Sequence, residues 1–286
     1  MFFLKIRIKT LFRKKNTMKL IMQPGTAGLK VLTYFLIMWL ATFIAGIIPW
    51  LNSLFYFWGV SLLISWLLLR SDHLNLSSLN CIPQNRKHWR QLFAGVFSGC
   101  LMLIVTAIIT LTLTRASWHY NQNPGIVNIL ITFMMCASSA YIQEFVFRGY
   151  PFQTLLRRYG PWPAQILIAI PFALMHINRS MSLQDVAPVM LTTGLGSLLF
   201  GLAYIKTRNL MLPVGLHLGW NFAQALIPRT ANTDSKVLIT VVSDPGNYSF
   251  FTIILPYLLI FTIGCIFLGL TNFEKKETGS LTNEVS

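Results

Sequence analysis

Long apolar stretches recur along the whole chain, and short polar connections separate them. Eight candidate spans can be counted, at 31–49, 51–69, 92–114, 126–147, 163–177, 187–205, 210–228 and 249–270. A helix needs roughly 20 apolar residues to cross a bilayer core about 30 Å thick. The stretches are continuously apolar and do not alternate as membrane strands do. The pattern therefore predicts an all-α fold, a polytopic membrane helix bundle of about eight transmembrane helices.

Composition and charge support this class. Hydrophobic residues make up 54% of the chain and charged residues 11%, whereas soluble domains average about 25% charged. The net charge of +15 does not indicate nucleic acid, because the basic residues alternate between rich and poor connections. That alternation places 19 Lys and Arg on one side and 4 on the other. The positive-inside rule then predicts a multi-pass protein of the cell membrane with both termini cytoplasmic and the lipid bilayer as partner.

The domain organisation follows from the same pattern. We expect a basic cytoplasmic segment over 1–30, a membrane bundle over 31–271 and a cytoplasmic tail over 272–286. The first segment could instead form a basic amphipathic helix on an anionic leaflet. The four cysteines contain no CxxC spacing, so we expect neither a disulfide framework nor a thiolate metal site.

A few polar side chains interrupt the apolar spans. Glu144 ends the fourth span, and an ionisable group at membrane depth costs ~2.5–3.5 kcal/mol, which makes it a candidate functional residue. Arg148 follows one helical turn later and could simply pair with it at the helix end. His176 ends the fifth span, while His217 and Asn221 share one face of the seventh. Each of these residues taken alone has a structural interpretation, as a hydrogen-bonded or packing residue.

Taken together, these side chains suggest chemistry. A carboxylate and imidazoles can activate water, and His or Asn donors can stabilise an oxyanion, which together describe hydrolysis of an amide bond. Alternatively, Glu144, His176 and His217 could hold zinc or another divalent metal and leave one position for water. The residues themselves leave both chemistries open, and no cofactor is assured.

Three motifs follow one another along the chain: Gln143-Glu144-x-x-x-Arg148, Phe172-x-x-x-His176 and His217-x-x-x-Asn221. Their order resembles the CPBP family of intramembrane proteases, which includes the CaaX prenyl endopeptidases and Abi-type bacterial members. The resemblance covers about 126–228 and implies an endopeptidase that cleaves a small membrane-associated peptide or protein tail. It implies catalytic roles for Glu144, His176, His217 and Asn221, and supporting roles for Gln143, Arg148 and Phe172.

One departure from the family pattern leaves two functions open. Gln143 stands where the family has the first Glu of a pair, which the resemblance assigns to water activation with the His of the second motif. An amide cannot take up that proton. Either Glu144 acts as the base, or the chain is an impaired scaffold that binds or regulates another membrane protein or confers bacteriocin immunity. A transporter is a weaker third possibility.

The spacing also sets a geometric condition. If the fifth span starts at the cytoplasmic face, His176 lies ~20 Å away from that face at 1.5 Å per residue, whereas Glu144 lies near it. The two can meet only if this span begins below the membrane plane, tilts, or kinks at Pro171.

Overall fold

The computed structural model describes residues 24–178, 180–229, 238–242 and 249–271. The predicted tail over 272–286 and the first 23 residues of the predicted basic segment lie outside them. The elements are α1 (Pro24–Ile47), α2 (Leu54–Ser71), α3 (Arg86–Thr114), β1 (Ser117–Tyr120), α4 (Ile126–Arg148), α5 (Tyr150–Tyr159), α6 (Pro161–Leu174), α7 (Leu183–Thr207), α8 (Met211–Leu226), β2 (Ile239–Val242) and α9 (Phe250–Leu270), with 3-10 turns at Pro49–Leu51 and Leu76–Leu79.

The predicted all-α polytopic bundle is confirmed. In the described part of the chain, 6 helical stretches are long and apolar enough to cross a membrane: α1, α2, α3, α4 continued by α5, α7 and α9. The fifth and seventh predicted spans are the shorter helices α6 and α8, with 14 and 16 residues. At 1.5 Å per residue these helices are only ~21 and ~24 Å long. The count of eight spans therefore remains a prediction, and both short helices carry candidate site residues.

Buried polar contacts bring several helix ends together at one end of the bundle. Lys30 in α1 forms an ion pair with Asp72, directly after α2. The amide of Asn209, just before α8, donates to Gln91 Oε1 near the start of α3 at 2.8 Å. We call the end of the bundle that holds these two contacts the basic end. In the regions that the structure describes, Arg115 and Arg229 are the Lys and Arg residues that lie towards the opposite end, where β1 pairs antiparallel with β2.

Helices α3 and α8 run parallel and pack through glycines. Gly95 and Gly99 of α3 face Gly215 and Gly219 of α8, and both pairs have the four-residue spacing of close membrane-helix contacts. A Cβ atom on Gly99 would lie 2.3 Å from the carbonyl oxygen of Leu216, and one on Gly219 would lie 2.1 Å from that of Val96. The two backbones are therefore in direct contact, and this contact sets the position of α8 against α3.

We expect Gly99→Ala to destabilise the protein, because the added methyl group meets rigid backbone and must push α3 and α8 apart. Overpacking of this kind costs about 1–3 kcal/mol. A lower thermal unfolding midpoint of the detergent-solubilised protein would show the effect. Gly46→Ala is the matched control, since nothing lies within 4 Å of a Cβ there. Equal midpoints for the two variants would contradict the close contact.

Candidate functional site

Glu144 lies at the buried end of α4. The first part of that helix is largely exposed, whereas from Ala140 onward most residues are buried, and Glu144 has no exposed surface. Its Oε1 atom accepts hydrogen bonds from His217 Nδ1 at 2.9 Å and from Arg148 Nη1 at 3.3 Å. Because the carboxylate accepts, Nδ1 of His217 carries the proton. Residues from α4 and α8 therefore meet as the sequence predicted, although they are 73 positions apart.

Arg148 is fully buried and has several partners besides Glu144. Its Nη2 atom donates to the carbonyl oxygen of Ser197 at 2.9 Å and to the Ser197 hydroxyl at 2.6 Å. The guanidinium carbon lies 4.5 Å from the ring centroid of Phe172 and 5.6 Å from that of Phe200. Hydrogen bonds and aromatic faces thus replace part of the water that a buried cation loses, while Nε of Arg148 has no hydrogen-bond partner among the described residues.

Two phenylalanine rings pack against the histidines, and one of them contacts both imidazoles. Phe200 stacks on the His217 imidazole, with 4.8 Å between ring centroids and 14° between ring planes. Phe172 contacts His176 at 4.9 Å and His217 at 6.2 Å between centroids. The two imidazoles therefore share one aromatic neighbour.

The turn from α5 to α6 explains how His176 reaches this depth. Helix α5 extends the chain beyond Arg148 and ends at Gly160, whose φ of +83° favours glycine. Pro161 then begins α6, a position that suits its fixed φ and missing N–H. Helix α6 runs back along α5, so Phe172 reaches Phe147, with 5.0 Å between ring centroids. The 10 residues of α5 therefore separate the end of α4 from the start of α6, and the position of α6 relative to the membrane plane stays a prediction.

His176 and Asn221 form no hydrogen bond to the Glu144 carboxylate in the described part of the chain. His176 is half-buried, and its Nδ1 donates to the carbonyl oxygen of Phe172 at 2.7 Å. Asn221 is half-buried one turn beyond His217, and its amide has no hydrogen-bond partner within the described ranges. The structure thus joins Glu144, Arg148 and His217 directly, and leaves His176 and Asn221 at the edge of the cluster.

Two unpaired polar atoms lie at Gln143, where the sequence departs from the family pattern, and at the neighbouring Glu144. Gln143 is half-buried, and its Nε2 donates to Ser139 Oγ at 2.9 Å. Its Oε1 atom is buried without a hydrogen-bond partner among the residues described here, and so is Glu144 Oε2. Buried unpaired oxygens are uncommon and costly. Both atoms could accept a hydrogen bond from water or from a substrate group.

A metal does not fit the described side chains. Across residues 24–178, 180–229, 238–242 and 249–271, no three His, Cys, Asp or Glu residues are grouped so that they could hold an ion. Glu144, His176 and His217, the alternative set that the sequence offers, do not form such a group among these residues.

Sequence reasoning missed the contribution of α7 to the cluster. Ser197 contacts Arg148 and Phe200 contacts His217, yet no pattern in the sequence marks either residue. One serine and one phenylalanine in an apolar span look ordinary. The glycine spacing of α3 and α8 was a readable signal, since small residues four positions apart predict close helix packing.

Comparison with protein families adds to this geometry. Residues 127–223 match the family model described as type II CAAX prenyl endopeptidase, Rce1-like. The predicted resemblance is confirmed. The Rce1-like segment runs from the start of α4 into α8, so it contains all three motifs. It supports a peptidase of the CAAX type in a multi-pass membrane protein. No curated protein matches the chain significantly.

Proposed function

We propose that the chain is an intramembrane endopeptidase in which Glu144, oriented by His217, activates water. The observation that carries this proposal is the 2.9 Å contact between Glu144 Oε1 and His217 Nδ1, inside the Rce1-like segment. A carboxylate bonded to an imidazole and enclosed by apolar rings is an arrangement suited to proton transfer in a low-dielectric site.

The two carboxylate oxygens have different roles in this proposal. Arg148 and His217 bond to Oε1 and fix the plane of the carboxylate. Oε2 remains for water and takes up its proton as the hydroxyl oxygen attacks the substrate carbonyl carbon. The amide of Asn221 donates to the resulting oxyanion. Glu144 then returns the proton to the leaving nitrogen as the peptide bond breaks.

We place the basic end in the cytoplasm of a cell-membrane protein. His217 is the seventh residue of α8, so the site lies ~9 Å from the start of that helix. Cleavage would then occur close to the cytoplasmic leaflet. The substrate we propose is a membrane-associated peptide or protein tail, and a prenylated CAAX tail is the first candidate because the family description names it.

Two observations favour a second candidate, an impaired scaffold that binds or regulates another membrane protein. Gln143 lacks the carboxylate that the family places there. Glu144 has no exposed surface, so water reaches it only if neighbouring side chains move. In this alternative the buried pair stabilises the bundle, and the protein contributes to bacteriocin immunity without cleaving peptides.

Restoring the family residue separates the two candidates. We expect Gln143→Glu to raise cleavage of a prenylated CAAX reporter peptide by about tenfold or more, because it adds a second group able to accept a proton. The assay uses the purified full chain in lipid nanodiscs and measures product formation. Gln143→Ala is the control, since it removes the amide without adding a carboxylate. If neither variant nor the unmodified protein cleaves the peptide, the scaffold is supported.

A further inference from the structure

We propose that Ser197 and Phe200 of α7 form a positioning platform that sets the orientation of His217 and Glu144. This inference rests on the proposed function, because it assigns residues that support the same site. The two residues are three positions apart, so they share one face of the helix. Their exposures are 2% and 5%, so both are enclosed by protein.

The first contact of the platform acts through Arg148. Ser197 accepts from Arg148 Nη2 through both its hydroxyl and its carbonyl oxygen. Arg148 in turn donates to Glu144 Oε1, the oxygen that also accepts from His217. A shift of the guanidinium would move the carboxylate. Ser197 therefore fixes the carboxylate without touching it.

The second contact acts on the imidazole itself. The Phe200 ring lies nearly parallel to the His217 ring, and it also faces the Arg148 guanidinium at 5.6 Å. A flat ring on one side restricts rotation of the imidazole about its side-chain bonds. His217 then presents Nδ1 to the carboxylate and keeps Nε2 directed elsewhere. The platform thus restrains both ends of the hydrogen bond that carries the proposed chemistry.

The depth of α7 in the bundle is itself fixed. The side-chain amide of Gln165 in α6 donates to the carbonyl oxygen of Leu198 at 2.9 Å. A Cβ atom on Gly201 would lie 1.8 Å from Gln165 Oε1, so the glycine leaves room for this side chain to approach the α7 backbone closely. Helix α6 also carries Phe172 and leads to His176. The contact of Gln165 with α7 therefore sets the position of α7 relative to these two residues. Gln165 therefore links the α7 backbone next to Ser197 to α6.

Two substitutions test the platform. Ser197→Ala removes the hydroxyl acceptor, and Phe200→Leu removes the stacked ring. We expect each to lower kcat for the prenylated CAAX reporter about tenfold while KM changes less than about twofold, because positioning acts on the reacting groups. Phe261→Leu is the matched control, since Phe261 is also 5% exposed but packs on Tyr257 and Trp220. We expect Phe261→Leu to keep its kcat.

A spectroscopic readout distinguishes this inference from the proposed function. In nitrogen-15 histidine spectra of the full chain in nanodiscs, His217, assigned through His217→Gln, should show a fixed Nδ1-protonated ring. Both platform variants should shift this signal towards averaged tautomers. The shift without any cleavage by the unmodified protein would support the platform and contradict the peptidase. Unchanged His217 signals in both variants would overturn the platform, and Ser197→Ala alone decides if Phe200→Leu does not fold.

Discussion

Replacing Glu144 with Gln is expected to lower cleavage of a prenylated CAAX reporter by at least about 100-fold, the usual contribution of a positioned acid or base. The glutamine oxygen can still accept from Arg148 and His217, so both hydrogen bonds to that oxygen are kept. The replaced Oε2 position, however, becomes an NH2 group that cannot take up a proton. We therefore expect a folded protein that has lost its base.

The activity measurement is the rate of product formation per amount of purified variant. The amount of the variant in the membrane is measured separately, and it reports whether the protein folds. Asp185→Asn is the control, because it makes the same carboxylate-to-amide change at an exposed residue at the start of α7. Cleavage at the unmodified rate in Glu144→Gln would remove Glu144 from the role of base and leave it as part of the buried pair.

Arg148→Met is expected to cause the largest loss of stability. It leaves the Glu144 carboxylate fully buried without its cation, and breaking a buried ion pair on one side costs about 3–5 kcal/mol. The Ser197 oxygens also lose their donor. A lower unfolding midpoint and a lower amount in the membrane would both follow. Arg158→Met is the control, because that arginine is exposed at the end of α5.

A double substitution makes this prediction sharper. Adding Glu144→Gln to Arg148→Met removes the unpaired charge, so we expect the double variant to be more stable than Arg148→Met alone. The difference measures the coupling of the pair, as residues in one buried network are not additive. Additive losses in the double variant would show that the two charges do not depend on each other.

The fold class could be predicted from sequence because lipid imposes a strong constraint on it. A continuous apolar run in lipid must form a helix. Six of the eight predicted spans are helices long enough to cross a membrane. Helices α6 and α8 were harder, since a short apolar helix within a bundle gives the same pattern as a full span. Their lengths depend on neighbours such as α5 and α3, which hydropathy does not report.

The contact between Glu144 and His217 could also be anticipated, because isolated polar groups in apolar spans lower their energy by meeting one another. The sequence did not determine which groups would touch. His176 bonds to its own helix through the Phe172 carbonyl, and this local partner is available wherever a histidine ends a helix. Ser197 bonds to Arg148 because of the register of α6 and α7, a tertiary property that no local pattern encodes.

The most direct test of the account is cleavage by the purified chain itself. The full-length protein is reconstituted in lipid nanodiscs with a prenylated CAAX peptide, and the products are identified by mass spectrometry. We predict one specific cleavage product, lost in Glu144→Gln and increased in Gln143→Glu. An intact peptide after incubation with both the unmodified protein and Gln143→Glu would contradict the account and leave the buried Glu144–His217 pair with a structural role.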